Sequence, residues 1–194
     1  MRKVIGIVSE GPTDFMVLKE VVDHITGEEN VYHRLQPEPN AMGQYGNGWK
    51  GVWKWCEDNA EVLEDIFSSV IPKLDLLIIQ MDADVSRKEK EIHCACYGTE
   101  CELCGSVSPL TCGKLKDNQC PIILPCKNHH HTPLGYREHI EKSICKWLKA
   151  SGNRQDIVVT VPCDSTDAWI VAAYRDSENV LYKNAVMQRI LMIR

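Results

Sequence analysis

Three short runs of β-branched and aliphatic residues punctuate the chain: Lys3 to Ser9, Leu74 to Met81, and Asp156 to Val161. Each core is apolar almost throughout instead of alternating, the pattern of strands buried on both faces of a parallel sheet. Between them the period changes. Phe15, Leu18, Val22 and Ile25 recur at helical spacing after the turn Glu10-Gly11-Pro12-Thr13. They predict a helix capped by Thr13 or Asp14 and ended by Gly27. Val31 to Gln36 is a further strand candidate. Positions 37 to 51 hold two Pro and four Gly and predict a loop. Val52, Trp55, Cys56, Leu63, Ile66, Phe67 and Val70 mark one face of a second helix, stopped by Pro72. Tyr136, Ile140, Ile144 and Leu148 step by four and predict a third, with Gly152 as its stop. A last helix is expected over Asp164 to Tyr174, and the tail from Ser177 is amphipathic. Strands alternating with helices predict an α/β fold with a mostly parallel sheet and helices on both faces.

The periodicity fails between Val85 and Gly135, and there the composition changes as well. Seven of the ten Cys (Cys94, Cys96, Cys101, Cys104, Cys112, Cys120 and Cys126) lie in this stretch. We read it as an insertion in a single domain spanning residues 1–194. The longest aliphatic run, Leu76-Leu77-Ile78-Ile79, is far too short for a membrane span. Val4 to Val8 is too short for a signal peptide. A cytoplasmic protein without membrane attachment is therefore expected, and in the cytoplasm clustered thiols suggest metal before disulfide. Cys101-x-x-Cys104 has the spacing of a zinc knuckle, and Cys126-x-x-His129 offers a second short-range pair. With Cys94, Cys96, Cys112 and Cys120 these make eight candidate ligands, enough for two four-coordinate structural Zn²⁺ sites or for one with spares. Structural Zn²⁺ contributes roughly 10–16 kcal/mol in small zinc-dependent peptides, enough to fold a loop that lacks an apolar core. A free-thiol loop or disulfides are the alternatives.

The acids fall in a pattern of their own. Ligands of parallel sheets gather at the carboxyl ends of the strands. Glu10 follows the first strong strand, Asp82 and Asp84 the second, Asp164 and Asp167 the third. Topology alone sends all five to one edge. Grouped carboxylates repel one another and are tolerated where a hard cation neutralises them. Mg²⁺, or Mn²⁺ in its place, takes oxygen ligands and needs only one or two protein carboxylates. An Asp-x-Asp at a strand end would aim both side chains the same way. Asp is equally a turn or cap residue, and Asp164-x-x-Asp167 has the form of a helix-capping arrangement.

Val4-Ile5-Gly6-Ile7-Val8-Ser9-Glu10-Gly11-Pro12-Thr13-Asp14 resembles the first motif of TOPRIM domains, a strand leading into Glu-Gly-x-Thr-Asp and a helix. Leu76-Leu77-Ile78-Ile79-Gln80-Met81-Asp82-Ala83-Asp84 resembles their second, a hydrophobic strand into Asp-x-Asp. Val161 to Ala172 is similar to the acid-x-Trp stretch of small standalone TOPRIM-like proteins, related to nucleases of the overcoming-lysogenization-defect type and often paired with ATPases in bacterial defence loci. Asp167 stands there where Glu is more usual. The resemblance covers about positions 3 to 84 and 136 to 174. It implies a TOPRIM/Rossmann-like sheet, Glu10 in acid/base chemistry or metal binding, and Mg²⁺ on Asp82 and Asp84, with Asp167 as a further ligand. Strand-passing and primase members need additional domains for which this chain has no room. A metal-dependent nuclease acting on DNA or RNA, with phage defence as its setting, is the expectation. A noncatalytic module that binds nucleic acid or a partner ATPase is the alternative. A receiver-like domain would distribute its acids the other way.

Net charge is −5, so any nucleic-acid contact needs a local patch. Ser86-Arg87-Lys88-Glu89-Lys90 is a phosphate-steering candidate or simply a solvated loop. Gly43 to Gly51, with Tyr45, Trp49 and Lys50, could stack a base or pack Trp49 on the core. Trp53, Trp55 and Trp147 read as core or partner contacts. Cys56, Cys145 and Cys163 read as small buried hydrophobes. Elemental analysis of protein purified without chelator should find one or two equivalents of zinc. Chelation should loosen positions 85 to 135 while sparing the sheet. Zinc-free protein would refute the staple.

Overall fold

The computed structural model describes residues 2–38, 44–87, 133–149, 154–163 and 165–174. Four strands, β1 (Val4–Val8), β2 (Val31–Gln36), β3 (Leu76–Gln80) and β4 (Ile157–Thr160), form one all-parallel sheet in the order β2-β1-β3-β4. Among the described residues the helices are α1 (Pro12–Thr26), α2 (Trp49–Asn59), α3 (Leu63–Ser69), α4 (Pro133–Trp147) and α5 (Thr166–Tyr174), with a 3-10 turn at Ala83–Arg87. This is an α/β, Rossmann-like arrangement. No helix among the described residues is long and apolar enough to cross a membrane. The eight zinc candidates and Asp164 lie outside the described residues, as does the tail from Ser177.

β1 and β3 pair side by side, Ile5 opposite Leu76 through Val8 opposite Ile79. Alternate side chains serve opposite faces. Ile5, Ile7, Leu76 and Ile78 pack with Leu18 and Val22 of α1, and Phe15 and Trp169 lie against them. Val8, Leu77 and Ile79 join Val52, Trp55 and Cys56 of α2 and Ile140, Ile144 and Trp147 of α4. Helices thus cover both faces, as the near-continuous apolar runs predict. Each fully buried aliphatic side chain contributes roughly 1.5–3 kcal/mol, which makes these two layers the main source of stability.

Several local expectations are revised. Thr13 and Asp14 do not cap α1; Gly11 holds the cap position without a side-chain bond, and Pro12 opens the helix, where its missing N–H costs nothing. Gly27 ends α1 as expected, in the left-handed conformation at φ 67°. The long second helix is two helices. Asn59 Nδ2 bonds the Trp55 carbonyl at 2.8 Å, offering that group a side-chain partner at the point where α2 stops. β3 ends at Gln80, so Asp82 and Asp84 lie beyond the strand, Asp84 on the 3-10 turn. Strand alternation therefore does not set their directions. α4 begins at Pro133, inside the stretch assigned to the insertion. Cys56 is buried as expected, but Cys145 is half-buried and Cys163 exposed.

The glycine-rich loop resolves toward packing. Trp49 is buried in the core and stacks on Trp53, ring centroids 6.3 Å apart. α2 starts at Trp49 and so takes in the last three positions of the predicted loop. Between Ile7 and Val8 the pairing with β2 slips, so that Val8 lies opposite Gln36 and Leu35 is passed over. That bulge turns Gln36 to the α2 side, where its Nε2 donates to the Gly46 carbonyl. A Cβ on Gly51 would stand 2.3 Å from Gln36 Nε2 and 2.5 Å from the Gly46 carbonyl oxygen. Gly→Ala inside a helix ordinarily stabilises by roughly 0.5–1 kcal/mol. Gly51→Ala should instead destabilise by about 1–3 kcal/mol, because a backbone carbonyl must move. Urea unfolding of the two proteins checks the sign.

Candidate functional site

The sheet order places a topological switch between β1 and β3. The crossover after β1 leads to β2 on one side, and the next returns past β1 to β3 on the other. The crevice outside the carboxyl ends of two such strands is where α/β sheets bind ligands. Glu10 stands two residues beyond β1 and Asp82 two beyond β3. They meet: the Asp82 backbone N–H donates to Glu10 Oε1 at 2.8 Å.

A polar network fixes this meeting. Gln80, fully buried at the end of β3, accepts from the Glu10 backbone N–H at 3.4 Å. Its Nε2 donates to Asp82 Oδ1 at 2.7 Å and to Thr166 Oγ1 at 3.0 Å. Thr166 opens α5, and its backbone N–H and hydroxyl approach the same Asp82 Oδ1 at 3.2 and 3.3 Å. Asp82 thereby caps the start of α5 from another part of the chain. Asp14, in the first turn of α1, shares a hydrogen bond with the Thr166 side chain. A Cβ on Gly11 would approach Asp14 Oδ2 to 3.2 Å, so the glycine leaves that carboxylate its place.

The electrostatics are of one sign. Burial raises the Glu10 pKa to about 8. The Asp82 N–H bond opposes that rise, and the charges of Asp82, Asp14 and Asp84 add to it. Asp82 rises to about 7, through burial first and then the charges of Asp14 and Asp84; the bonds from Thr166 oppose it. Asp14 is raised mainly by burial, against its bond from Thr166. Asp84 is half-buried. Asp167 is exposed on the first turn of α5, and its charge acts on Asp14.

Of the sequence candidates, Glu10, Asp82 and Asp84 therefore come together. Asp167 stands at the margin, beside Asp14. Asp14, Gln80 and Thr166 were not among them. Asp14 follows Glu10 by four positions and was assigned to a cap. Gln80 is a polar side chain inside an otherwise apolar strand end, and that is the signal that could have found it. Among the described residues no group of three His, Cys, Asp or Glu is arranged to hold a metal ion. What the donor set suits is a hard cation held through one or two carboxylate oxygens, with water completing its shell. A separate cavity of about 910 Å³ lies by Arg2, Lys19, Asp23 and Asn30, at the opposite edge of the sheet. Asp23 and Asn30 are bonded to each other there and Asp23 to Tyr32, so that end is a structural clasp. No family model, curated protein or solved structure matches this chain.

Carboxyl groups whose folded pKa values exceed their unfolded values, near 4.5 for Glu10 and 3.8 for Asp82, keep protons that the unfolded chain releases. Their stabilisation is complete below about pH 4 and is lost as pH rises through about 7 to 8. In buffer without divalent cations the melting temperature should decline from about pH 5 to pH 9. Glu10→Gln should flatten that decline. Parallel profiles for the two proteins would show that the acid site is not strained.

Proposed function

We propose that this chain is a TOPRIM-like, Mg²⁺-dependent nuclease that hydrolyses phosphodiester bonds in DNA or RNA. The observation that carries the reading is the meeting of Glu10 and Asp82 at the switch point, inside a cluster of carboxylates whose own charges oppose one another. Burial of like charges costs stability and is worth keeping where a cation or a reaction uses them. Glu10, Asp82 and Asp84 would hold Mg²⁺ or Mn²⁺, with Asp14 behind them and Asp167 at the rim. When bound, the ion supplies charge neutralisation at the phosphoryl oxygens and lowers the pKa of a bound water.

The residues themselves suggest a division of labour. Glu10 Oε1 is tied to the Asp82 amide, which leaves Oε2 to take a proton from an attacking water. A pKa near the working pH suits that exchange, and a general base of this kind contributes roughly 10²–10⁴-fold. The water oxygen would bond phosphorus as the bond to the leaving oxygen breaks. The Cys/His-rich insertion would add structural Zn²⁺ and a surface for nucleic acid, and a partner ATPase in phage defence is the setting the resemblance implies.

One observation favours a second reading. Asp82 Oδ1 caps α5, so this acid has structural work independent of any ion. On that view the chain is a noncatalytic, zinc-stabilised module for nucleic acid or a partner ATPase. Single- and double-stranded DNA and RNA incubated with Mg²⁺ or Mn²⁺ separate the two. The nuclease reading expects cleavage that Glu10→Ala reduces by about 10²–10⁴-fold. It also expects Mg²⁺ to raise the melting temperature, less so in Asp82→Asn. A wild type that cleaves nothing and melts indifferently to Mg²⁺ leaves only the module.

A further inference from the structure

Asn47-Gly48 is the one Asn-Gly pair in the sequence. Such a pair is chemically labile in an unfolded chain, because the glycine nitrogen can reach the asparagine side-chain carbonyl carbon with no Cβ in its way. Asn47 is exposed, and glycines of positive φ flank it, Gly46 at 73° and Gly48 at 79°. A Cβ on either glycine would meet nothing within 4 Å, so the pair stands in open space. One bond restrains it. The Gly48 backbone N–H donates to the Glu10 carbonyl at 2.7 Å, and the Gly48 carbonyl accepts from the Gly51 N–H at 2.9 Å. The nitrogen that would react is thus held as a donor just beyond β1, and its own carbonyl opens α2. On the other side of Asn47, the Gly46 carbonyl accepts from Gln36 Nε2. Gln36 is fully buried and its Oε1 has no partner, so among the described residues the bond to Gly46 is the amide's one attachment.

We propose that Asn47 is a self-modification site gated by the Gly48–Glu10 hydrogen bond. In the step itself the Gly48 nitrogen gives its proton to water or hydroxide, and its electron pair forms a bond to Asn47 Cγ. The bond from Cγ to Nδ2 breaks, and that nitrogen leaves as ammonia with a proton from water. The product is a cyclic succinimide. Water then opens it at either carbonyl and leaves aspartate or isoaspartate at position 47. While its proton is donated to Glu10, the Gly48 nitrogen can neither lose that proton nor turn toward Cγ. Cyclisation therefore proceeds only from the state in which the loop at 44–48 has left Glu10, and its rate is that of the open chain scaled by the open fraction. Isoaspartate routes the main chain through one extra carbon just before Gly48, so the closed arrangement is not recovered. The modification is a one-way release of the start of α2 from the end of β1, independent of whether the acids bind a cation.

The test follows the full-length protein in warm, mildly alkaline buffer, folded and unfolded in urea, by peptide mapping for aspartate and isoaspartate at position 47. Hydrogen exchange of the Gly48 amide is measured by nuclear magnetic resonance on the same folded protein. Folded protein should be modified more slowly than the unfolded chain by about tenfold or more, and the retardation should equal the exchange protection of Gly48 within about threefold, since one opening governs both. Gln36→Leu keeps the buried volume but frees the Gly46 carbonyl. It should lower both factors together, by roughly 2–10-fold, the usual worth of one hydrogen bond. Asn47→Gln lengthens the side chain by one methylene and should stop the modification while leaving the Gly48 amide protected. Should Gln36→Leu fail to fold, the two wild-type factors decide the matter alone. Folded protein modified as fast as the unfolded chain overturns the inference. So does a retardation that departs from the protection of Gly48, or a folded Gln36→Leu protein in which neither factor falls.

Discussion

Apart from Gln80 at the end of β3, the central pair of strands carries no polar side chain. β1 and β3 are packed on both faces, and Ile5, Ile7, Val8, Leu77, Ile78 and Ile79 leave no gap for water. In a parallel sheet the strands share one direction, so the first polar residues at or just after each strand end emerge at a single edge. Ser9, Glu10, Gln80 and Asp82 are those residues for the two central strands. The constraint that builds the core therefore also assembles the carboxylates. Separating Glu10 from Asp82 would require changing the order of the sheet.

That assembly is costly, and the structure shows how the cost is met. Glu10 receives the Asp82 amide, and Asp82 receives Gln80 and Thr166. Each is a neutral donor, and the charges acting most strongly on the two acids are those of other acids. Neutral donors offset part of the desolvation but none of the mutual repulsion. A proton completes the balance, which couples the site to pH, and in the function proposed above a divalent cation would take the proton's place.

Much of this was legible in the sequence. Continuous apolar runs identify β1 and β3 because double burial leaves no other composition possible, and β2 shows through its β-branched and aromatic start. The acids were legible because strand ends can be read off the same runs. The parts that escaped depend on contacts distant along the chain. Asp14 looks like a helix cap until α5 brings Thr166 beside it. Gln80 looks like the last residue of a strand until β1 and α5 supply its partners. The break between α2 and α3, where Asn59 bonds the Trp55 carbonyl, leaves no mark in the apolar phase. Strand alternation failed for Asp82-Ala83-Asp84 because the strand had already ended. The Cys and His cluster carries no periodic signal at all, and its reading rests on ligand chemistry alone.

Capping alone does not account for the cluster. A helix start is satisfied by one acceptor, and Asp82 Oδ1 supplies it for α5. Glu10 bonds an amide of the turn after β3, which any neutral acceptor could do without the cost of a buried charge. Asp84 adds its charge to both acids. Replacing Glu10 by a neutral acceptor would keep that hydrogen bond and remove the repulsion, so stability does not explain its charge. Asp82 is explained twice, once by the helix and once by the site. Glu10 caps no helix, and for that reason its carboxylate, more than that of Asp82, is the feature on which a functional reading of this edge must stand.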